Sequence, residues 1–280
     1  MIKIFGVRGS LIGDIIMSLP ILDYLKEKYG NYYLYFAIAQ KCQQAKALFL
    51  NNSYISDIKI TDNFEQIGLE DLKIISDCDI VFDIFPAHPK EQDWYNYRNC
   101  VEETALMAGI NPKELPTQIP KLTQYWENSY LSNKTKTIAL WPFAGYGTGL
   151  NRSPTKEWWL QVINILLKNG YKIFHCGSSN EPFLIPDHKN YVNLTHNSFF
   201  EQIKWSLNCS LAIGTDSGSM WVIGAYNKIP QINLITNWLP NHINNKLALA
   251  PVGNLVKNLY ADNNCDNINI DTIVYEINSL

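Results

Sequence analysis

The sequence has no surplus of either charge: 23 Lys and Arg stand against 26 Asp and Glu, a formal net charge of −3. Dedicated nucleic-acid binders carry a basic excess, so nucleic acid is not an expected partner. No uncharged apolar run approaches the ~18 residues of a membrane span, and the most apolar stretch, Tyr32 to Ala39, is strand-sized. The first residues, Met1 to Val7, lead straight into Arg8 and Asp14 without a small-residue cleavage site. They read as a first strand rather than a signal core. Cysteine is sparse and scattered: Cys42, Cys78, Cys100, Cys176, Cys209 and Cys265 form no C-x-x-C pair and meet no His-x-x-x-His partner. That pattern predicts free thiols in a reducing, cytoplasmic compartment instead of disulfides or a zinc site, and no metal is expected.

What the sequence does contain is apolar material arranged in alternating runs. Its 280 residues are 46% hydrophobic and 18% charged, with 15 Gly and 13 Pro, which excludes disordered and collagen-like chains. The length suits two domains of roughly 100 to 150 residues. In the first half, strand-like runs at Lys3 to Val7, Tyr33 to Ala39, Ile58 to Ile60 and Ile80 to Phe85 are interleaved with helical patterns. Ile15, Ile16, Leu19, Leu22 and Leu25 recur at helical spacing, predicting a helix that begins directly after Asp14 and stops before Gly30. A second helix is predicted from Asp93 to Ala108. Pro112, Pro116, Pro120 and the polar run Ser132 to Lys136 then mark a connection between domains, dividing the chain into 1–133 and 134–280. The second half repeats the texture, with strands at Thr137 to Trp141, Lys172 to Cys176, Leu211 to Gly214 and Gln231 to Ile235. Helices are expected at Thr155 to Lys168, Phe199 to Leu207 and Met220 to Tyr226. The expected fold class is α/β, two doubly wound Rossmann-like domains flanking a cleft, with ligands beyond the carboxyl ends of the strands.

Three post-strand loops are candidates for carrying chemistry. Arg8-Gly9-Ser10-Leu11-Ile12-Gly13-Asp14 joins the first strand to its helix, and Asp14 reads either as a helix cap or as a general base for an acceptor hydroxyl. In Trp141-Pro142-Phe143-Ala144-Gly145-Tyr146-Gly147-Thr148-Gly149, alternate glycines let backbone amides approach a phosphate, although neither a Rossmann fingerprint nor a Walker Lys-Ser/Thr is present. Arg152 and Lys156 follow near a helix start, where cations oppose the helix dipole; they read either as solvated charges or as phosphate partners. Gly214-Thr215-Asp216-Ser217-Gly218-Ser219-Met220 opens a helix with small residues and hydroxyls, which suits either a capped turn or an anion site.

In order and spacing these segments resemble glycosyltransferase family nine, the ADP-heptose:lipopolysaccharide heptosyltransferases, across almost the whole chain. The resemblance rests on Arg8, Gly13-Asp14 and Pro20; on Gly145 and Lys156-Glu157-Trp158-Trp159; on Gly177 with Glu181 close behind; and most specifically on Gly214-Thr215-Asp216-Ser217-Gly218 with Pro230. Cys265, Ile268 to Asp271 and a last helix are similar to the family's C-terminal end. The resemblance implies the GT-B architecture and an inverting, metal-independent transfer from a nucleotide sugar, ADP-linked in the family, to a glycan or glycolipid acceptor such as lipopolysaccharide core. Peripheral contact with the inner membrane and a cytoplasmic location go with it; no cofactor is implied beyond the nucleotide-sugar substrate. Carried over, Asp14 is the general base and Arg8 and Ser10 bind acceptor. Lys156, Gly145, Glu181, Thr215, Asp216, Ser217 and Gly218 bind donor, with Lys156 on the diphosphate.

Two departures qualify it. Trp221 stands where the family usually has His, and an indole neither titrates nor holds phosphate by charge, which implies a changed donor. The chain is also shorter than family members, mainly in its first domain, which implies a different or smaller acceptor. The remaining readings are a transferase acting on a protein or modified-DNA acceptor, and a catalytically silent nucleotide-sugar-binding protein. Trp158, Trp159 and Trp205 are expected in packing; Trp141, Trp221 and Trp238 are candidates for stacking on a base or sugar, and His88, after the strand ending at Phe85, reads either as packed or solvent-exposed or as facing the cleft.

Overall fold

The computed structural model describes residues 1–9, 11–50, 52–61, 69–82, 98–122, 135–144, 152–181, 184, 187–236, 250–262 and 264–279, with the backbone alone at 7–9 and 69–71. The chain divides into two compact units, Met1–Tyr125 and Trp126–Leu280. The expected junction after residue 133 lies outside the described residues.

In the first unit, β1 (Ile2–Gly9), β2 (Tyr32–Ala39), β3 (Asp57–Thr61) and β4 (Ile80–Phe82) form a parallel sheet in the order β3-β2-β1-β4. Ile4, Phe5, Leu34 and Phe36 are buried on its central strands, and Ile15, Ile16, Leu22 and Leu25 bury the apolar stripe of the helices that follow β1. That helical stretch is broken in two, α1 (Ile12–Met17) and α2 (Leu19–Tyr29), and it starts before Asp14 rather than after it. Pro20 explains the break. It lacks the N–H a continuous helix needs there, and its ring is tolerated only in the first turn of a new helix, where it sits. Gly30, at φ 64°, ends α2 with its N–H on the Lys26 carbonyl. The short α3 (Lys46–Phe49) and α4 (Leu69–Ser76) come next, and α5 (Cys100–Met107) packs against α1. The helix expected from Asp93 starts at Cys100 among the described residues, because Asn99 caps it by accepting from Val101 and Glu102 N–H groups.

In the second unit, β5 (Thr137–Trp141), β6 (Lys172–His175), β7 (Tyr191–Asn193), β8 (Leu211–Thr215), β9 (Gln231–Thr236) and β10 (Val256–Ala261) form a parallel sheet in the order β10-β9-β8-β5-β6-β7. Counted within the unit, this is the 3-2-1-4-5-6 order of dinucleotide-binding sheets. Helices α6 (Lys156–Lys168), α7 (Phe199–Leu207) and α8 (Gly218–Tyr226) and a C-terminal helix, Ile270–Ser279, complete it. Strands β5, β8 and β9 are buried along their whole length, as both-face burial of a parallel sheet requires. Trp159, Val162, Ile163 and Leu166 of α6 pack onto Ile138, Leu140, Ile213 and Ile232. All residues of α8 from Met220 to Tyr226 are buried, so this helix is apolar all round. The six cysteines are free, and all but the half-buried Cys78 are buried.

Strand order reverses between β1 and β4 in the first unit and between β5 and β8 in the second. Such reversals open a crevice at the carboxyl ends of the strands, because the loops on either side run away from each other. Asp14 follows β1, and Asp216 follows β8.

Candidate functional site

At the reversal in the second unit, β8 ends on Thr215, which is wholly buried and whose hydroxyl has no hydrogen-bond partner. Ser217 is extended at the N-cap of α8 and accepts from the Met220 N–H at 3.5 Å, so Gly218 is the first helical residue. Between them lies Asp216, only 5% exposed. Arg152 Nη2 donates to its carboxylate at 2.7 Å and to its carbonyl at 3.1 Å. Burial pushes the Asp216 carboxyl above the ordinary carboxylate range, and the Arg152 charge and hydrogen bond oppose that rise. The Trp221 indole N–H favours the charged form as well, at a geometry too poor for a full hydrogen bond. The loop is pressed close to its neighbours: a Cβ on Gly214 would lie 2.7 Å from the Trp141 carbonyl and 2.8 Å from Met220 Sδ.

Lys156 is the first residue of α6 and is exposed. The start of that helix already has its partners: Thr155 Oγ1 accepts from the Trp158 N–H, and Asp266 Oδ1 accepts from the Thr155 N–H at 2.7 Å. Beyond β6, Glu181 turns one carboxylate oxygen to the Ser178 N–H at 2.9 Å, and the other is buried without a partner. Burial drives its pKa up to about 7, and the Ser178 N–H counteracts this in part. Gln202 holds the neighbouring Gly177 from both sides, accepting from its N–H at 2.6 Å and donating to its carbonyl at 3.0 Å. Gly145 lies outside the described residues.

In the first unit, Asp14 is the third residue of α1, not its cap, and Oδ2 accepts from the N–H of Leu11, the capping residue, at 2.9 Å. The half-buried carboxylate thus keeps an acidic group in the first turn, where the helix dipole stabilises it. Arg8 is placed by its backbone within β1, and Ser10 lies outside the described residues.

The structure brings Thr215, Asp216, Ser217 and Gly218 together and adds Arg152. The sequence marked Arg152, like Lys156, as either a solvated charge or a phosphate partner; its pairing with Asp216 was not legible, because nothing local signals a partner 64 residues away. It does not bring Lys156 into that group by any hydrogen bond or ion pair among the described residues. Two stacking candidates are corrected. Trp141 is 4% exposed with its indole N–H on Ser206 Oγ at 3.0 Å, and Trp221 is 2% exposed, so both belong to the core. Trp158 and Trp159 are core residues too, bonded to the Ile268 and Pro142 carbonyls, while Trp205 stacks on Phe174. Trp238 and His88 lie outside the described residues. Among the described residues no three His, Cys, Asp or Glu side chains gather as metal ligands.

No protein-family model and no curated protein matches the chain. Among solved structures it is similar to ADP-heptose lps heptosyltransferase II of E. coli, with a TM-score of 0.71 at 15% identity, covering 100% of this chain and 98% of that one. A glycosyltransferase of family 9 from Veillonella parvula gives 0.68 at 13% identity, covering 99% and 96%. The E. coli heptosyltransferase WaaC with ADP gives 0.59 at 12% identity, covering 99% of both chains. What is shared at these identities is the fold, and it is shared along nearly the whole of each molecule. The chain therefore has the fold of the family-nine heptosyltransferases.

Proposed function

We propose that the protein is an inverting glycosyltransferase of the GT-B type, moving a heptose or related sugar from a nucleotide sugar to a surface-glycan acceptor such as lipopolysaccharide core. The observation that carries this reading is the fold shared with ADP-heptose lps heptosyltransferase II over 98% of that chain, which leaves neither half unmatched. The reversal in each parallel sheet supports it, because each presents polar residues singled out in the sequence: Asp14 after β1, and Thr215, Asp216 and Ser217 after β8.

In this reading the Asp14 carboxylate takes the proton of the acceptor hydroxyl as its oxygen attacks the anomeric carbon. The bond from that carbon to the diphosphate breaks, and the nucleoside diphosphate leaves with both bonding electrons. Its growing negative charge is met by the α8 N-terminus, whose first N–H groups have no intrahelical partner, and by a cation from the same unit. Those charges do the work a divalent metal does elsewhere, so the reaction is metal-independent. Glu181, Gly145, Thr215, Ser217 and Gly218 are assigned to donor binding, and Arg8 and Ser10 to acceptor binding. Domains divided near residue 133, a cytoplasmic location and peripheral contact with the inner membrane belong to the same proposal. Trp221, buried in α8, offers no imidazole to the donor, which favours a nucleotide sugar other than ADP-heptose.

The test is a thermal-shift panel of nucleoside diphosphates and nucleotide sugars in EDTA, followed by a transfer assay on truncated lipopolysaccharide acceptors with the anomeric configuration read by NMR. Stabilisation by one nucleotide class and acceptor-dependent release of its diphosphate are expected. Absence of any shift at millimolar ligand would sink the transferase reading, and stabilisation without turnover on any acceptor would favour a silent nucleotide-sugar-binding protein.

A further inference from the structure

We infer that Arg152, held in place by Asp216, is the cation that meets the donor's diphosphate, and that Lys156 is not. The inference rests on the transferase reading above and moves to Arg152 a role that the family resemblance gives to Lys156.

The two cations face different surroundings. Lys156 opens α6, and the partial positive charge of that helix end already has an anion: the Asp266 carboxylate, which accepts from the Thr155 N–H at 2.7 Å. An exposed lysine beside a helix end so satisfied has no reason to gather a second anion. Arg152 differs in each respect. Its side chain is 14% exposed and its carboxylate partner 7%, so the pair has been taken out of water at the carboxyl edge of the sheet, at the β5–β8 reversal. Removing two charges from water costs free energy that their mutual attraction only partly returns, so a buried pair is weak ground for stability and calls for another use.

The chain around Arg152 is fixed at both ends. Cys265 donates its thiol hydrogen to the Arg152 carbonyl at 3.2 Å, and Nη2 bonds both the carboxylate and the carbonyl of Asp216. Asp216 itself lies one residue before the N-cap of α8 and one after Thr215, whose wholly buried hydroxyl has no partner. Arg152 and the start of α8 thus lie at the same carboxyl edge of the sheet, next to the end of β8, where a cation and the free N–H groups of a helix start suit phosphate oxygens. A guanidinium remains charged at every accessible pH, and its planar fork matches phosphate oxygens better than an ammonium does. Asp216 then acts through Arg152, as a positioning residue, and does not itself touch the donor sugar.

The experiment compares calorimetric affinities for ADP, UDP and GDP with those for adenosine, uridine and guanosine, because the ratio within a pair isolates recognition of the diphosphate. Wild type is expected to prefer one diphosphate over its nucleoside. Arg152→Ala should lose about 10- to 100-fold in diphosphate affinity, the scale of a charge-assisted hydrogen bond, with nucleoside affinity unchanged. Arg152→Lys should recover part of the loss. Asp216→Asn should weaken the diphosphate several-fold and leave the nucleoside alone, and Lys156→Ala should stay within threefold of wild type. Unchanged nucleoside binding serves as the control for folding, and Arg152→Lys carries the test if Arg152→Ala does not fold. Loss of the ratio in Lys156→Ala with its retention in the Arg152 variants overturns the inference and leaves the transferase reading standing. An equal loss for diphosphate and nucleoside in the Arg152 variants overturns it too, since that marks a structural tie. If wild type binds none of the three diphosphates, the transferase reading and this inference fall together.

Discussion

Gly177 and Glu181 fit against each other only because residue 177 has no side chain: a Cβ there would overlap the Glu181 carboxyl group. The backbone at Gly177 has φ 147°, a conformation that side-chain-bearing residues rarely adopt. Gly177→Ala is therefore expected to lose about 1–3 kcal/mol by urea unfolding. Adding Glu181→Ala to the same chain removes the overlap but not the backbone strain, so it should restore only part of the loss. A Gly177→Ala chain as stable as wild type would show that the loop moves freely there.

Glu181 also sets a pH dependence. Its folded-state pKa is pushed up to about 7 from an ordinary value of 4.5, so between those values the native chain holds a proton that the unfolded chain has released. Stability then falls as pH rises, because the unfolded state binds fewer protons. The contribution is complete below pH 4.5 and is lost as pH climbs through about 7. Urea midpoints from pH 4.5 to 8 should decline less in Glu181→Gln than in wild type, and parallel curves would show that the carboxyl group titrates normally.

His175 works in the opposite direction. It is 1% exposed, with Nδ1 paired to the Tyr191 hydroxyl at 2.8 Å and Nε2 buried without a partner. Burial lowers its pKa from 6.5 to about 4, so in that interval the unfolded chain takes up a proton that the native chain refuses. Stability is therefore full above pH 6.5 and declines on acidification until about pH 4. The loss is on the order of 3 kcal/mol. His175→Gln should remove this acid limb, and because the Glu181 window overlaps it with the opposite slope, the limb should stand out most clearly in a Glu181→Gln background. An acid limb unchanged in His175→Gln would assign it to other groups.

The sequence revealed those parts of the molecule that obey local rules. Strands β5, β8 and β9 were legible because a strand buried on both faces must be apolar throughout, and α7 is bounded where its apolar spacing predicts. Strand β10 escaped notice because it alternates exposed and buried residues at a sheet edge, and β7 because three residues carry no period. The break between α1 and α2 was written in Pro20, but the helical spacing of Ile15, Ile16, Leu19 and Leu22 runs straight across it. In the candidate site the composition of the loops was readable and their pairing was not. Arg152 and Asp216 are brought together by the order of β5 and β8, and Asp266 reaches Thr155 over 111 residues; neither relation leaves a local trace.

Asp14 offers a clean separation of structure from chemistry. Its Oδ2 accepts the Leu11 N–H at 2.9 Å, the bond that secures the entry to α1, and an asparagine side-chain oxygen can accept the same bond. An amide is not a base, however, and cannot take the acceptor's proton. Asp14→Asn keeps that bond and gives up only the carboxylate's interaction with the helix dipole, so it is expected to lower the melting temperature slightly and keep wild-type nucleotide affinity while kcat falls about 10²- to 10⁴-fold, the usual contribution of general base catalysis. Asp14→Ala should lose activity and some stability together, because the Leu11 N–H then loses its acceptor. The contrast between the two variants decides the role: equal melting temperatures would show that the capping bond contributes little. An Asp14→Asn protein with wild-type turnover would remove Asp14 from the reaction and leave it a helix-stabilising carboxylate.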